Sequence, residues 1–429
     1  MVFTGGELAC CWDKRRTGMK MDNLAADTTI LSAYIHFPFC VKKCPYCDFV
    51  SYDGCMDKKE SYIDSLCREI ELTGKEQGTA ELLCASQDCR SSEASCKYPG
   101  LATVYMGGGT PSLFTPEELG AVMQTLRRNF GIQESAEITL EVNPGTVSQE
   151  AFLGYRAIGI NRISIGVQSF SQPILTALGR IHTSVQAVKA IQMAKAAGFT
   201  NISCDLMTGL AGQTIMDVED SLSILLENGI SHVSFYALIV EERTPFFEKY
   251  NNHEELLPAP DLERSMYHRM LARLKAEGYV HYEISNCGKP GFESRHNMTY
   301  WRAEPYYGFG CGAFAYRQGR RTGNTTDLTA YIASMTGPLP ALSEIVTECE
   351  EIDESESRKE FMLLGFRMIN GVSSQEFYKR YGVSMHEIFG RSIQTLLGRD
   401  LIVHEKDRYF LSEKGLDYAN EVFREFVGN

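Results

Sequence analysis

The stretch "FPFCVKKCPYCDF", residues 37–49, carries Cys40, Cys44 and Cys47 at C-x3-C-x2-C spacing. A structural zinc site closes with four protein ligands, but the next thiol along the chain is Cys55 and no His-x3-5-His pair follows. Three thiolates on one loop are better suited to a four-iron four-sulfur cluster that leaves one iron open to an outside ligand. The spacing therefore favours such a cluster, with a zinc site or an incidental cysteine loop as the alternatives.

The composition narrows the class of protein. The 429 residues are enough for one large domain and a smaller one. The net charge of −13, from 42 basic and 55 acidic residues, repels phosphate backbones, so no nucleic-acid partner is expected. No secretory signal opens the sequence, and its 14 cysteines are therefore expected to stay reduced in the cytoplasm. No apolar run is long enough for a transmembrane segment, which leaves only peripheral membrane association open.

Six short β-rich runs alternate with amphipathic, helix-like segments at the spacing of βα repeats. Such a series predicts an α/β fold with a parallel sheet, a partial (β/α)6 TIM-like barrel. In that fold the functional groups lie where the strands end, at their carboxyl side. The three cysteines follow the first run, so they fall in that zone. The runs begin at Ala33, Thr103, Glu137, Arg162, Asn201 and His232.

Glycine and polar residues stand at the ends of the later strands as well. The glycines of "MGGGTP", residues 106–111, would let a ligand approach the backbone closely. Each polar residue taken alone is more often a structural group than a ligand. Several such residues at the same end of the sheet favour a binding site there. If they were buried without a ligand, each would need its own hydrogen-bond partner. They are Glu141, Gln168, Arg180 and Asp205.

The character of the sequence changes after Gly337, where "GPLP" and the acidic "TECEEIDESESRKE" mark a boundary. The segments that follow read as helices and then as two short strands around a charged turn. This order predicts a small winged-helix-like α+β domain. Since the domain has no basic face, a packing or gating role is expected for it rather than DNA binding.

Taken together, these motifs resemble a known superfamily. The cysteine spacing after the first strand, the glycine-rich end of the second strand and the (β/α)6 sheet are similar to the radical S-adenosylmethionine enzymes. The similarity is strongest to the branch that contains the coproporphyrinogen dehydrogenases and the haem chaperones, and it covers about residues 31–429. The segments that carry it are, in order, "YIHFPFCVKKCPYCDF", "GGGTPS", "ITLEVNPGT", "NRISIGVQSF", "LGRIH", "GLAGQT" and "YEISN…RHNMTYW".

The resemblance implies two cofactors. Cys40, Cys44 and Cys47 would bind three irons of a 4Fe-4S cluster, and the fourth iron would take the amino and carboxylate groups of S-adenosylmethionine. Reduction of the cluster would then cleave the sulfonium to start radical chemistry. By family analogy, the nucleoside site would be lined by Tyr34, Tyr46, Gly109, Thr110, Glu141, Gln168, Arg180, Asp205 and Ala237.

Two features distinguish the activities of that branch. The dehydrogenases carry a fourth cysteine two positions after the third, where this sequence has Phe49. The segment "HNMTYW", residues 296–301, is similar to the H-N-x-x-Y-W motif of the haem chaperones. The resemblance therefore implies a protein that binds haem and transfers it to an acceptor protein, with a chaperone role favoured over an enzymatic one. The alternatives are an oxygen-independent coproporphyrinogen III dehydrogenase and, more weakly, a radical enzyme with another substrate.

The resemblance also makes His296 the candidate haem ligand. An imidazole can ligate haem iron, and Tyr300 and Trp301 offer flat apolar contact. The alternative is an ordinary hydrogen-bonded histidine. Phe314 stands where relatives often carry histidine, with Cys311 nearby, which leaves a second haem ligand open.

The chain is expected to divide into four parts. Met19 or Met21 is expected to begin the functional chain, and the insertion cysteines Cys84, Cys89 and Cys96 are expected in a solvated loop rather than a metal site. The parts are a disordered N-terminal extension at 1–30, the radical S-adenosylmethionine domain at 31–270 with a surface-loop insertion at about 76–100, an extension with the H-N-x-x-Y-W segment at 271–345, and the winged-helix-like domain at 346–429.

Overall fold

The computed structural model describes residues 30–88 and 99–427, with the backbone alone for residues 77–88. The expectations for the N-terminal extension, including a start at Met19 or Met21, lie outside the described residues. The same holds for Cys89, Cys96 and the side chain of Cys84.

Within the described residues, nine strands form one sheet in the order β7-β8-β6-β5-β4-β3-β2-β1-β9. The first six strands are parallel and lie in sequence order, as predicted. β9 extends the sheet in parallel beside β1, and on the other side β8 pairs antiparallel with β6 and β7 forms the outer edge. The barrel is therefore partial and open. The strands are β1 (Ser32–Phe37), β2 (Leu101–Gly108), β3 (Ile132–Val142), β4 (Arg162–Gln168), β5 (Asn201–Thr208), β6 (His232–Ala237), β7 (Val280–Glu283), β8 (Asn286–Gly288) and β9 (Tyr307–Phe309).

The helices of the described residues cover the sheet and build the C-terminal part. They are α1 (Lys59–Asp88), α2 (Pro116–Phe130), α3 (Gln149–Ala157), α4 (Gln172–Ala177), α5 (Ser184–Ala196), α6 (Ile215–Glu227), α7 (Pro245–Tyr250), α8 (Pro260–Ala276), α9 (Arg295–Trp301), α10 (Leu328–Thr336), α11 (Glu354–Gly365), α12 (Ser374–Tyr381), α13 (Met385–Gly398), α14 (Glu413–Asp417) and α15 (Ala419–Val427).

Each of the six parallel strands has one apolar and one polar face. Because successive side chains of a strand point to opposite faces, Ile35, Val104 and Leu140 pack under the helices, where all three are fully buried in the main hydrophobic cluster. Their neighbours in sequence form the opposite, inner face. We define the inner face by Tyr34, Tyr105, Glu141, Ser164 and Asp205.

Side-chain caps fix where the helices begin after the strands. Thr115 accepts from the backbone N–H of Glu118, whose carboxylate in turn accepts from the backbone N–H of Thr115, and this capping box starts α2. Equivalent boxes start α5 at Thr183 and α6 at Thr214. The start of each helix sets the length of the loop before it, and the loops before α2 and α5 carry Gly109, Thr110 and Arg180 of the predicted site.

The prediction of a surface loop at about 76–100 is wrong for the first half of that segment. Residues 78–88 continue α1, which runs unbroken from Lys59 to Asp88. The segment was predicted as a loop because it is polar and rich in serine and cysteine, but residues 78–88 contain no proline and include the helix formers Ala, Leu, Glu and Gln, and the helix also contains Gly74 and Gly78. Glycine lowers helix stability without ending a helix, whereas proline removes a hydrogen bond and ends it.

The C-terminal part has the predicted winged-helix-like arrangement. Helices α11, α12 and α13 precede the hairpin β14 (Ile402–Glu405) and β15 (Arg408–Leu411), which pairs with β13 (Val372–Ser373). A hydrophobic cluster of its own, with Phe366, Phe377 and Ile393 fully buried, holds these elements together. A second small sheet joins β10 (Phe314–Arg317), β11 (Arg320–Asn324) and β12 (Val346–Glu351) in antiparallel order.

The cysteine loop rests directly on the end of β2. Gly109 donates its backbone N–H to the Phe37 carbonyl at 2.9 Å. A Cβ at this position would lie 2.7 Å from the Phe39 carbonyl oxygen and 2.8 Å from that of Phe37. Real Cβ atoms do not approach backbone so closely, so only glycine fits here without moving the loop.

We predict that Gly109→Ala lowers the free energy of unfolding by about 2 kcal/mol, the cost typical of an overpacked interior. The measurement is urea-induced unfolding of the full chain. The matched control is Gly390→Ala on α13, where an added Cβ meets nothing within 4 Å. This control should be neutral or stabilising, because alanine has the higher helix propensity. Equal stabilities of the two variants would contradict the close approach at Gly109.

Candidate cofactor site at the carboxyl ends of the strands

The structure brings most of the predicted site residues to one cleft at the carboxyl ends of β1 to β6. This is the position at which parallel α/β sheets carry their sites. Ten of the predicted residues line the cleft: Cys40, Cys44, Cys47, Tyr46, Gly109, Thr110, Glu141, Gln168, Arg180 and Asp205.

The cysteine loop is closed by backbone pairing at its base. Cys40 donates its N–H to the Tyr52 carbonyl at 2.9 Å, and Tyr52 donates its own to the Pro38 carbonyl at 2.9 Å. Between these points Cys47 N–H bonds the Cys44 carbonyl at 3.1 Å and forms a tight turn. The loop is therefore a fixed platform that presents the three thiols to the cleft.

Two polar side chains contact the thiols. Thr110 Oγ1 lies 3.7 Å from Cys40 Sγ, and Arg180 Nη1 lies 3.5 Å from Cys44 Sγ. Burial raises the pKa of Cys40 and raises that of Cys47 to about 11, so these thiols are protonated at neutral pH until a metal displaces their protons.

The spacing of these thiols is not that of a single-ion site. Within the described residues, no group of three or more His, Cys, Asp or Glu side chains could hold one metal ion. In an iron–sulfur cluster the thiolates bind separate irons. Three separate thiols on one loop are therefore compatible with the cluster.

Glu141 is the carboxylate of the inner face nearest the glycine-rich end of β2. Its oxygens accept from the Tyr105 hydroxyl at 2.8 Å and from the Gly108 N–H at 3.1 Å. Burial raises the pKa of Glu141 to about 7; the charge of Asp205 adds to the rise, while the two hydrogen bonds oppose it. Glu141 can therefore accept hydrogen bonds from ligand hydroxyls near neutral pH and exchange a proton there.

Asp205 is the second carboxylate of the inner face. Its Oδ1 accepts from the Ser164 hydroxyl at 3.2 Å. Burial raises the pKa of Asp205 to about 6, and the Arg162 guanidinium below it lowers the pKa in part. Arg162 is itself 2% exposed and supplies a fixed positive charge to the inner face.

Gln168 has a strained backbone at the end of β4. Its φ of 68° lies in the left-handed region, which non-glycine residues rarely adopt. The ladder to β5 is irregular between Ile165 and Gln168, and the Gln168 Oε1 accepts from the Tyr236 hydroxyl at 3.0 Å. Strain of this kind clusters at functional sites, where surrounding contacts hold it.

Arg180 has an unused hydrogen-bond donor beside the cleft. Its Nη2 donates to the Gly166 carbonyl at 2.7 Å, and its Nη1 lies 3.5 Å from both Cys44 Sγ and the Tyr46 hydroxyl. Its Nε is buried and has no hydrogen-bond partner among the described residues. Such a donor fits a carboxylate, because guanidinium and carboxylate form strong charge-assisted hydrogen bonds.

Three predicted residues lie outside the cleft lining. The Tyr34 hydroxyl bonds His36 Nδ1 at 2.9 Å on the inner face. Ala237 is the last residue of β6, next to the cleft-lining Tyr236. His296 is 1% exposed on α9, with its ring nitrogens 2.8 Å from the hydroxyls of Thr103 and Tyr300.

Sequence reasoning missed several residues of the site. Asn143, Ser164 and Tyr236 line the cleft, and Tyr105 supports Glu141 from within the inner face. The signal that could have found Tyr105, Ser164 and Tyr236 is the two-residue period, which places them on the same face as the predicted residues of their sheet.

Comparison with known proteins identifies the family. Residues 34–225 match the Radical SAM superfamily and residues 352–418 match the HemN C-terminal domain. The heme chaperone HemW of Bacillus subtilis is 35% identical over 92% of this chain and 99% of its own length. The heme chaperone HemW of Lactococcus lactis is 33% identical over 92% of this chain and 97% of its own length. The chain belongs to the HemW family.

A solved structure shows the same fold as this HemW-family chain. Coproporphyrinogen III oxidase (HemN) from Escherichia coli, a radical SAM enzyme, matches with a TM-score of 0.76 over 93% of this chain and 90% of its own. At 19% identity this likeness shows the fold alone. The family match over residues 34–225 shows that the chain has a radical S-adenosylmethionine domain, the domain type that holds a 4Fe-4S cluster and S-adenosylmethionine. No helix in the described part of this HemW-family chain is long and apolar enough to cross a membrane.

We predict that Glu141→Gln flattens the pH dependence of stability. The folded chain keeps a proton on Glu141 up to about pH 7, whereas an ordinary glutamate releases it near 4.5. Stability contributed by this group is therefore lost as the pH rises through that window. The variant cannot ionise, so its free energy of unfolding relative to that of the wild type should rise by about 2–3 kcal/mol between pH 5 and 8.

The measurement is the free energy of unfolding against pH for the cluster-free chain. The control is Glu348→Gln, at an exposed position of β12, which should leave the pH profile unchanged. Parallel profiles of Glu141→Gln and the wild type would show that Glu141 is not the group responsible.

Proposed function

We propose that this chain is a haem chaperone that binds haem and transfers it to an acceptor protein, with a 4Fe-4S cluster and S-adenosylmethionine as resident cofactors. The observation that carries the proposal is the near full-length similarity to HemW proteins at 33% and 35% identity. The cleft supports it, because it joins three cysteines to a set of groups that matches the polar ends of S-adenosylmethionine.

The residues of the cleft fit the two cofactors. Cys40, Cys44 and Cys47 would hold three irons, and the unpaired Nε of Arg180 would bond the carboxylate of the methionyl group. Glu141 would accept from hydroxyls or the ammonium. The remaining contacts would come from Tyr34, Tyr46, Gly109, Thr110, Gln168, Asp205 and Ala237.

Each of these side chains has a role that its surroundings support. When bound, the cluster and S-adenosylmethionine would supply reductive cleavage of the sulfonium. Thr110, 7% exposed, would donate to the sulfur of Cys40, and the backbone at Gly109 would let the ligand lie close to β2. Gln168 and Tyr236, bonded to each other, would bound the cleft on the side of β4 and β6.

The mouth of the cleft favours the chaperone over the dehydrogenase. Phe49 lines the cleft and is 62% exposed, at the position where the dehydrogenases carry a fourth cysteine. A phenyl ring cannot donate a proton or exchange electrons as a thiol can, whereas it can pack against a flat macrocycle. Haem arrives oxidised and metallated, so its transfer needs no such thiol.

Haem is proposed to bind at the segment 296–301. His296 would serve as the iron ligand, and the Trp301 ring, which packs 4.3 Å from the Arg367 guanidinium, lies at the boundary with the C-terminal part. In the conformation described, both ring nitrogens of His296 are hydrogen-bonded. Ligation therefore requires the Tyr300 hydroxyl to leave Nε2 when haem enters.

We predict that the variant Cys40→Ala/Cys44→Ala/Cys47→Ala takes up no iron or sulfide on anaerobic reconstitution, since among the described residues these are the three thiols that line the cleft. Iron and sulfide content and the visible absorption of the cluster are the measurements. Cys349→Ala, at an exposed position of β12, is the control and should bind the cluster like the wild type. Cluster retained by the triple variant but lost in a variant of Cys84, Cys89 and Cys96 would contradict the assignment.

We predict that the reconstituted protein binds haem, releases it to a haem-free acceptor and leaves coproporphyrinogen III unchanged. His296→Ala should weaken haem binding about tenfold or more and shift the haem absorption bands, because the iron loses its ligand. Haem titrations followed by absorption, and chromatography of an anaerobic incubation with reductant, S-adenosylmethionine and coproporphyrinogen III, are the measurements.

The control for the haem titration is His253→Ala, at an exposed histidine far along the chain from the segment. An unaltered haem spectrum in His296→Ala would move the ligand to another residue, with Cys311 and Cys287 as the next to test. Catalytic formation of protoporphyrinogen would overturn the chaperone assignment in favour of the dehydrogenase.

A further inference from the structure

Helix α9 closes the inner face of the sheet with a directional chain of hydrogen bonds. Thr103 Oγ1 donates its hydrogen bond to Ser32 Oγ at 3.0 Å. It therefore accepts a hydrogen bond from the Nδ1–H of His296 at 2.8 Å. The His296 Nε2 is then unprotonated and accepts a hydrogen bond from the Tyr300 hydroxyl at 2.8 Å. The His296 ring is thereby fixed as the neutral Nδ1–H tautomer. Burial, with the charge of Arg162, lowers the pKa of His296 to about 3, in agreement with a neutral ring.

The fixed imidazole lies flat against Tyr105. The two ring centroids are 5.1 Å apart with an interplanar angle of 25°. Tyr105 also stacks against Tyr34, at 6.2 Å and 28°. The plane of Tyr105 is therefore set by its two neighbours, and its hydroxyl is aimed at Glu141 Oε1, 2.8 Å away.

The helix is also anchored to the strand that carries Glu141. The carboxylate of Glu137 accepts from the backbone N–H groups of Arg295 at 3.2 Å and His296 at 3.1 Å. Glu137 and Glu141 lie four residues apart on β3, so both point to the inner face. The start of α9, the ring of Tyr105 and the carboxylate of Glu141 thus form one closed and rigid set of contacts.

We propose that Tyr105 and His296 are positioning residues of the nucleoside site. His296 fixes the plane of Tyr105, and the Tyr105 hydroxyl holds Glu141 in the orientation that meets a hydroxyl or the ammonium of S-adenosylmethionine. Neither residue lines the cleft, so both act through Glu141. This inference rests on the proposed S-adenosylmethionine site, and it gives the histidine of the H-N-x-x-Y-W segment a role that does not depend on haem.

The test is calorimetric titration of S-adenosylmethionine into the anaerobically reconstituted full chain without reductant. Tyr105→Phe removes only the hydroxyl and should weaken binding about tenfold, the value of one hydrogen bond to a charged group. His296→Ala should weaken binding by a smaller factor, since it frees the ring but keeps the hydroxyl. The double variant should bind no more weakly than Tyr105→Phe alone, because His296 acts through that hydroxyl.

The pH profile separates positioning from a general loss of structure. Wild-type affinity should fall as the pH drops through about 7, where Glu141 takes up a proton. In Tyr105→Phe the same fall should occur at a higher pH, because the hydrogen bond that lowers the pKa of Glu141 is lost. The other groups that act on Glu141, namely Asp205, Arg162 and the Gly108 N–H, are the same in both proteins.

The control is Tyr279→Phe, which removes another buried hydroxyl, bonded to the Ile230 carbonyl. It should leave the affinity and its pH profile unchanged, and all variants should hold equal amounts of cluster. Unchanged affinity in Tyr105→Phe, or additive losses in the double variant, would overturn the inference while the wild type still binds. A wild type that does not bind S-adenosylmethionine would refute the proposed cofactor site and the inference with it.

Discussion

The alternation of apolar and polar side chains along the six parallel strands is the constraint on which the rest of this structure depends. Parallel strands are usually covered on both faces and carry apolar residues on both. Here the outer face is apolar and lies under the helices, while the inner face carries hydroxyls, carboxylates and rings. A sheet of this kind cannot fill its own interior, so it stays partly open and leaves space for polar ligands where the strands end.

A polar inner face has an energetic cost that the hydrogen-bond network offsets. Buried polar groups without partners cost about 1–3 kcal/mol each. Glu141 and Asp205 both have hydrogen-bond donors, yet burial still raises the pKa of each toward neutrality. Arg162 supplies a positive charge below them but finds only His232 Nδ1, at 3.5 Å, and its Nε has no partner among the described residues. The inner face therefore keeps buried polar groups that could bind ligands, at a cost in stability.

The segment after the six βα units completes the domain rather than being appended to it. β9 pairs with β1, β8 pairs with β6, and α9 closes the inner face. The buried carboxylate of Glu69 on α1 ties this segment to the helical layer, because it accepts from Gly310 N–H at 2.8 Å, Asn324 at 2.7 Å and Tyr331 at 2.6 Å. The contacts of α9 with Glu137 and Tyr105 show why the H-N-x-x-Y-W segment and the inner face belong to one structural unit.

The sequence alone determined the C-x3-C-x2-C loop after the first strand, the six strands in their order and the winged-helix-like end. These features follow from local rules: a period of two along strands, a capping residue before a helix, and thiol spacing on one loop. The helix through residues 78–88 was missed, because the polar, serine- and cysteine-rich composition of the insertion was taken to indicate a loop although helix formers precede the serines. Only the tertiary structure decided that His296 is a buried ring with both nitrogens hydrogen-bonded, stacked on Tyr105. That outcome depends on α9 folding back onto β2 across almost 200 residues of sequence, and no local pattern specifies a contact made by two distant segments.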